Sequence, residues 1–316
     1  MRSIIAGGSL VVLMFAVGCN LIGPHSPYGG TRPAPSASTA TPTVENLVEY
    51  LNKNAERIQP TQAITCGNLT IDVNADGQKV GVSGKMLCQT PRNFLLSGVV
   101  LGSPAVDIGS NDKEFWFWSR EMKSPGNPAY LYHCSYDALA QGTKVPFPFQ
   151  PDMVVSALGL AKYDPLRKYD LQITDPKKGK QVIMLTEQAL SPENKPIQKI
   201  TVFDYQIANV PHPQVLSHIL KDEKGNVICA ANIRSAQYVG GETGPIIPRI
   251  VDFSWPEQKL KMTMRIENPR ITSMPPERAA TIFTRQNLKY PSFDLATRTP
   301  DGGVQRAGAT TPIYRR

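Results

Sequence analysis

The chain has 316 residues, of which 41% are hydrophobic and 19% are charged. This composition excludes an intrinsically disordered protein, and the length allows one large hydrophobic core or two small ones. The 24 glycines and 28 prolines follow no period, which excludes a collagen-like chain. The net charge is +8, but the basic residues are scattered, so we do not expect nucleic-acid binding.

The first residues have the features of an export signal. Arg2 is followed by an apolar run over residues 4–17, which is too short to span a bilayer. The run ends in Ala16-Val17-Gly18-Cys19, which resembles the bacterial lipobox. The resemblance implies that residues 1–18 are a signal peptide and that Cys19 carries a covalent diacylglyceryl lipid as a membrane anchor. The alternative is an ordinary signal peptide with a chance cysteine.

The segment after the cysteine indicates in which compartment the folded part of the protein lies. Asn20 stands where an aspartate retains lipoproteins at the inner membrane under the enterobacterial sorting pattern, so we expect a periplasmic protein at the outer membrane. Residues 19–42 are rich in Pro, Ser, Thr and Gly and are predicted to be a disordered tether. No later apolar segment reaches about 18 residues, so the protein is expected to be anchored rather than membrane-spanning. The sequence indicates no oligomeric state.

The body, residues 43–295, is predicted to be a single α+β domain that is mainly β. Apolar residues at helical spacing over 44–58 predict an amphipathic helix, with Thr41 as its cap. Period-two alternation on both sides of Asp76-Gly77 predicts a long hairpin. Short connections favour an antiparallel sheet, and residues 296–316 are predicted to be a disordered basic tail. Further strands are predicted at 93–101, 105–109, 114–118, 129–136, 169–174, 181–188, 197–207, 215–220, 227–239, 249–255 and 258–267, together with a short helix at 152–162 and a final turn near 276–283.

The order of these elements, together with three sequence segments, carries a resemblance to a family. The segments are Phe94-Leu95-Leu96-Ser97-Gly98, residues 106–112 and Phe115-Trp116-Phe117-Trp118. They resemble the LolA/LolB family and the related LppX-type lipoproteins. The resemblance implies a strongly bent antiparallel sheet, an unclosed barrel, wrapped around a few helices. It also implies a concave apolar face that holds the acyl chains of a lipid or lipoprotein in transit.

Several apolar residues are candidates to line such a cavity. In the last predicted strand Leu260, Met262 and Met264 share one face, and flexible thioethers suit both irregular cores and apolar ligands. The aromatic strand at 115–118 has rings on both faces, for which a two-sided core is the alternative. The candidates for the cavity lining are Leu51, Trp116, Trp118, Leu260, Met262 and Met264.

Four cysteines remain besides Cys19. An even number in an oxidising compartment indicates two disulfides with three alternative pairings. Folding the hairpin about Asp76-Gly77 places Cys66 opposite Cys88, which favours that pair and, by elimination, Cys134 with Cys229. Buried free thiols are the alternative.

No catalytic or metal site is predicted. Residues 72–77 match half of a calcium loop, but Ser83 stands where the bidentate Glu should be, which favours a plain turn. The four histidines, His25, His133, His212 and His218, are isolated in the sequence. We therefore expect no enzyme and no cofactor other than the lipid on Cys19. Two functions remain: a carrier or acceptor for acyl chains, and a structural or interaction lipoprotein of the envelope with a filled core.

Overall fold

The computed structural model describes residues 42–123, 128–145, 151–174, 181–205, 215–285 and 290–301. The predicted signal peptide, Cys19 and most of the tether lie outside these residues, as do His25 and His212.

The described part of the chain contains four α-helices and 16 β-strands. The helices are α1 (Val44–Glu56), α2 (Tyr136–Ala140), α3 (Pro151–Ala157) and α4 (Pro276–Ile282). The strands are β1 (Gln62–Ala75), β2 (Gln78–Gln89), β3 (Asn93–Val100), β4 (Ser103–Ser110), β5 (Glu114–Ser119), β6 (Leu131–Ser135), β7 (Tyr169–Ile173), β8 (Val182–Leu190), β9 (Pro196–Asp204), β10 (Val215–Asp222), β11 (Val227–Tyr238), β12 (Ile246–Trp255), β13 (Leu260–Glu267), β14 (Arg270–Ser273), β15 (Ser292–Asp294) and β16 (Thr299–Pro300).

All strands belong to one curved, unclosed sheet. Their order is β16-β15-β6-β5-β4-β3-β2-β1-β13-β12-β11-β10-β9-β8-β7, and β14 also pairs with β1. Neighbouring strands are antiparallel except β15 and β6, which are parallel. The predicted fold class is therefore confirmed: the protein is mainly β, with an antiparallel, unclosed sheet around a few helices. Every predicted strand is present as one of β1 to β13.

The two faces of the sheet differ in chemistry. On the concave face Val251, Met264 and Ile71 lie side by side in paired strands and are buried. On the convex face Arg265 binds Asp72, which lies in the neighbouring strand β1. The prediction that Leu260, Met262 and Met264 share one face of β13 is thus confirmed, and the helices cover this apolar face.

Helix α1 begins at Val44 as predicted, but its cap is not the predicted residue. Its cap is Thr43, whose hydroxyl accepts from the backbone N–H of Asn46, while the Asn46 side chain accepts from Thr43 N–H. This reciprocal pair satisfies two groups that a helix N-terminus otherwise leaves unpaired, so Thr43 and not Thr41 sets the boundary. The buried face of α1, including Leu47 and Leu51, packs against β7, β8 and β9.

The hairpin register differs from the prediction. Asp76 and Gly77 have φ values of 48° and 86°, and they form a two-residue turn that pairs Ala75 with Gln78. An irregularity after Cys66 shifts the pairing again, so Cys66 lies opposite Met86 rather than Cys88. The predicted Cys66–Cys88 pair is therefore wrong in register.

The four described cysteines are buried free thiols, so neither predicted disulfide is present. Cys134 lies in β6 and Cys229 in β11, and many strands of the sheet separate them. Burial raises the pKa of Cys88 and that of Cys229 to about 12. Since the thiolate is the reactive form, these side chains behave as small apolar core residues at neutral pH.

Residues 296–301, assigned above to the tail, belong to the folded body. Strand β16 pairs with β15, and Asp301 receives hydrogen bonds from His133 at 2.9 Å and from Arg285 at 2.9 Å. Burial alone would raise the pKa of Asp301, but these two partners outweigh it and hold that pKa below its usual value. The end of the described chain is therefore fixed to the outer strands by a polar cluster.

Candidate ligand cleft

A small apolar cleft lies on the concave face, between α1, the end of α3 and strands β10 to β12. It encloses about 40 Å³. None of the described residues that line it is a carboxylate, lysine or arginine. They are Tyr50, Leu51, Asn54, Ala157, Leu158, Gly159, Val215, His218, Ile233, Ala236, Ile246, Ile247 and Pro248. A wall of this kind fits an uncharged, mostly apolar occupant.

Asn54 joins the three sides of the cleft. Its side-chain amide donates to the backbone carbonyls of Gly159 and Ile246, both at 2.9 Å, and its carbonyl oxygen accepts from Ile246 N–H at 2.7 Å. Gly159 has a φ of 73°, and a Cβ there would lie 3.3 Å from the Asn54 amide nitrogen. Glycine thus allows both the backbone turn after α3 and the close approach of Asn54.

His218 lies in the cleft wall at the end of a chain of hydrogen-bonding side chains. Its Nδ1 is 3.3 Å from the Thr201 hydroxyl, which is 3.1 Å from the Tyr163 hydroxyl. The backbone of Tyr163 is in turn held by the Asn52 side chain on α1, through two hydrogen bonds of 2.8 Å. His218 Nε2 is closed to solvent and has no hydrogen-bond partner among the described residues.

Burial determines the protonation of these groups. It lowers the pKa of His218 from 6.5 to about 4 and raises the pKa of Tyr163 to about 12. Both side chains are therefore neutral at pH 7. The cleft wall therefore contains a neutral imidazole whose Nε2 is buried and has no partner among the described residues.

The predicted cavity residues fall in different places. Leu51 lines the cleft, whereas Met262 and Met264 are buried in the main core and Leu260 packs partly buried against it. Trp116 and Trp118 form a separate cluster with Leu131, on the other side of the strand from the main-core residues Phe115 and Phe117. Trp118 stacks on Tyr290 with ring centroids 4.0 Å apart. The two tryptophans are therefore not brought to the cleft.

Sequence reasoning missed His218 and Asn54. Strand β10 was predicted, but its side chains do not alternate in polarity, and an irregularity between Val215 and Ser217 changes which residues face inward. Asn54 lies on the apolar face of the predicted α1, and a buried amide at such a position is the signal that could have identified it.

Within the described residues there is no group of three or more His, Cys, Asp or Glu side chains placed to hold a metal ion. Among the same residues no helix is long and apolar enough to cross a membrane.

Replacing Asn54 with alanine should destabilise the protein. Asn54→Ala leaves the Ile246 N–H and two carbonyls in the cleft without partners, so we expect the free energy of unfolding to fall by roughly 2 to 4 kcal/mol. Urea unfolding followed by tryptophan fluorescence measures this change. Lys53→Ala, on the exposed side of α1, is the control and should change the value by less than about 0.5 kcal/mol. Equal effects of the two variants would contradict the stabilising role of the Asn54 hydrogen bonds.

The lowered pKa of His218 predicts a loss of stability in acid. Because its folded pKa is about 4 and its usual pKa is 6.5, protons bind the unfolded chain first as the pH falls between these values. We expect this residue to lower the free energy of unfolding by about 2 kcal/mol between pH 7 and pH 5. The measurement is the difference between wild type and the non-titrating His218→Gln across this interval. Parallel pH curves would show that the imidazole is not buried.

Comparison with known proteins finds a similar fold but indicates no activity. No protein family model and no curated protein matches the chain. An outer membrane lipoprotein-sorting protein domain from Vibrio parahaemolyticus is similar in structure, with a TM-score of 0.50 and 8% identity over 75% of this chain and 97% of that chain. At this identity the likeness is one of fold.

Two further solved structures align at lower scores. A LolA superfamily protein from Nitrosomonas europaea has a TM-score of 0.47 and 13% identity, over 77% of this chain and 99% of that chain. A DUF1329 family protein from Desulfovibrio piger has a TM-score of 0.47 and 10% identity, over 73% of this chain and 93% of that chain.

Proposed function

We propose that this protein is a non-enzymatic lipoprotein of the periplasm that binds acyl chains of a lipid or lipoprotein on its concave face, as a carrier or an acceptor. The observation that carries the proposal is the apolar cleft between α1, α3 and the sheet. An unclosed sheet leaves this face accessible wherever the helices separate from it. Burying acyl methylenes there contributes about 0.8 kcal/mol each.

The size of the cleft determines how binding would proceed. Its volume of about 40 Å³ is close to that of one water molecule, about 30 Å³, and far below that of a long acyl chain. The occupant must therefore displace α1 or α3 from the concave face. Because the chain would cover the same apolar surface that the helix covers, this exchange replaces one apolar contact with another.

The second candidate is a structural or interaction lipoprotein of the envelope with a filled core. The observation in its favour is that Leu51, Met262 and Met264 are all buried against other side chains of the protein. The two functions differ in whether α1 or α3 moves away from the concave face of the sheet to admit a ligand.

Anchoring through Cys19 is part of the same proposal. The supports are the lipobox-like residues Ala16-Val17-Gly18-Cys19, the Pro-, Ser- and Thr-rich sequence that follows them and a fold similar to that of the lipoprotein-sorting domain of Vibrio parahaemolyticus. Asn20 favours the outer membrane over the inner one. Two acyl chains suffice for stable anchoring, where one does not.

Cys19→Ser should abolish lipid attachment. In a bacterial host fed with radiolabelled palmitate, the wild-type chain should incorporate label and the Cys19→Ser chain should not. Asn20→Asp is the matched control: it keeps the cysteine, so it should be labelled equally, and in an enterobacterial host it should move from the outer to the inner membrane fraction. Equal labelling of the Cys19→Ser chain would disprove the anchor.

Filling the cleft should prevent lipid binding. Ala236 lines the cleft, whereas Ala230 lies on the same strand and points to the other face. We expect native mass spectrometry of the exported Cys19→Ser protein to show co-purified lipid, Ala236→Phe to lose it and Ala230→Phe to keep it. A mass without lipid, together with no binding of added methyl palmitate, would favour the structural lipoprotein instead.

A further inference from the structure

The unpaired nitrogen of His218 is the feature of the cleft that the fold does not explain. Among the polar side chains nearby, Asn54 makes three hydrogen bonds and the Glu187 carboxylate binds Arg167, whereas the buried Ser235 Oγ on β11 has no partner among the described residues. A buried polar atom without a partner destabilises a folded protein by about 1 to 3 kcal/mol. His218 Nε2 has none among the described residues, and its side chain lines the cleft.

The hydrogen-bond chain determines what this nitrogen offers. If the Tyr163 hydroxyl donates to Thr201 and Thr201 donates to His218 Nδ1, both hydroxyl hydrogens are used and the remaining proton of the neutral ring lies on Nε2. The reverse order would leave the Tyr163 hydrogen unpaired as well as the Nε2 lone pair. We infer the first order, in which Nε2–H is a hydrogen-bond donor.

We propose that the cleft binds the carbonyl end of an acyl group, whose oxygen accepts a hydrogen bond from His218 Nε2–H. This inference rests on the proposed function and specifies which end of the acyl chain enters. An ester or amide carbonyl is a neutral acceptor on an apolar chain, which is what one neutral donor in an apolar wall can satisfy. A carboxylate or phosphate would need a positive charge, and no described residue of the lining carries one.

The test compares two probes that differ only at the carbonyl end. The measurement is the displacement of the apolar fluorescent probe N-phenyl-naphthylamine from the Cys19→Ser protein by methyl palmitate and by hexadecane. We expect the protein with His218 to bind methyl palmitate about tenfold more tightly than hexadecane. This ratio corresponds to one net hydrogen bond. His218→Phe should bind both probes equally, and His218→Gln, which keeps a side-chain N–H donor, should restore most of the preference.

A spectroscopic readout separates recognition from a merely structural role. In ¹⁵N NMR of the histidine rings, methyl palmitate should shift the protonated Nε2 of His218, while hexadecane should leave it in place. Should His218→Phe fail to fold, the comparison of wild type with His218→Gln and the ring spectrum still decide the question.

The outcomes distinguish the two proposals. Equal binding of ester and hexadecane by the wild type, with an unchanged His218 spectrum, overturns the carbonyl site and leaves the acyl carrier intact. A crystal structure with ligand bound and a water molecule retained on Nε2 overturns it as well. If neither probe displaces the fluorophore, the proposed function itself fails.

Discussion

Covering the concave apolar face of an unclosed sheet is the constraint on which the rest of the structure depends. A closed barrel would cover this face with its own strands, but here β16 and β7 are the two free ends of the sheet order. Helices α1 and α3 cover the face instead. They belong to two different hydrophobic clusters. The packing against the sheet is least continuous where α1 and α3 meet. The cleft lies at that place.

The helices are held to the sheet by a few polar contacts at their ends. Asn54 fixes α1, and at the other helix Asp152 lies 3.3 Å from both the Arg92 guanidinium and the Tyr136 hydroxyl. Burial raises the pKa of Asp152 even though Arg92 and Tyr136 favour its charged form. Displacing a helix therefore breaks a small number of identifiable bonds, while the apolar contacts it loses are ones that an acyl chain can replace.

The sequence was most informative where the spacing of apolar residues alone determines the secondary structure. Alternation of apolar and polar residues located strands such as β1 and β13, because each has one buried and one more exposed face, whereas β5 is buried on both faces and β10 does not alternate. It could not locate the irregularities after Cys66 and Val215, since a bulge depends on pairing with a distant strand. The cysteine pairing and the inward position of His218 depend on those two irregularities, so both escaped prediction.

The difference between a filled core and a binding cleft is decided by polar groups more than by volume. A core selected only for stability would place leucine at 218, because an unpaired imidazole nitrogen stabilises nothing and makes the fold sensitive to acid. Thr201, itself in contact with Tyr163, satisfies Nδ1 of the ring, and Nε2 has no partner among the described residues. An arrangement that orients a donor and leaves it unpaired is the expected form of a site that acquires its partner from a ligand.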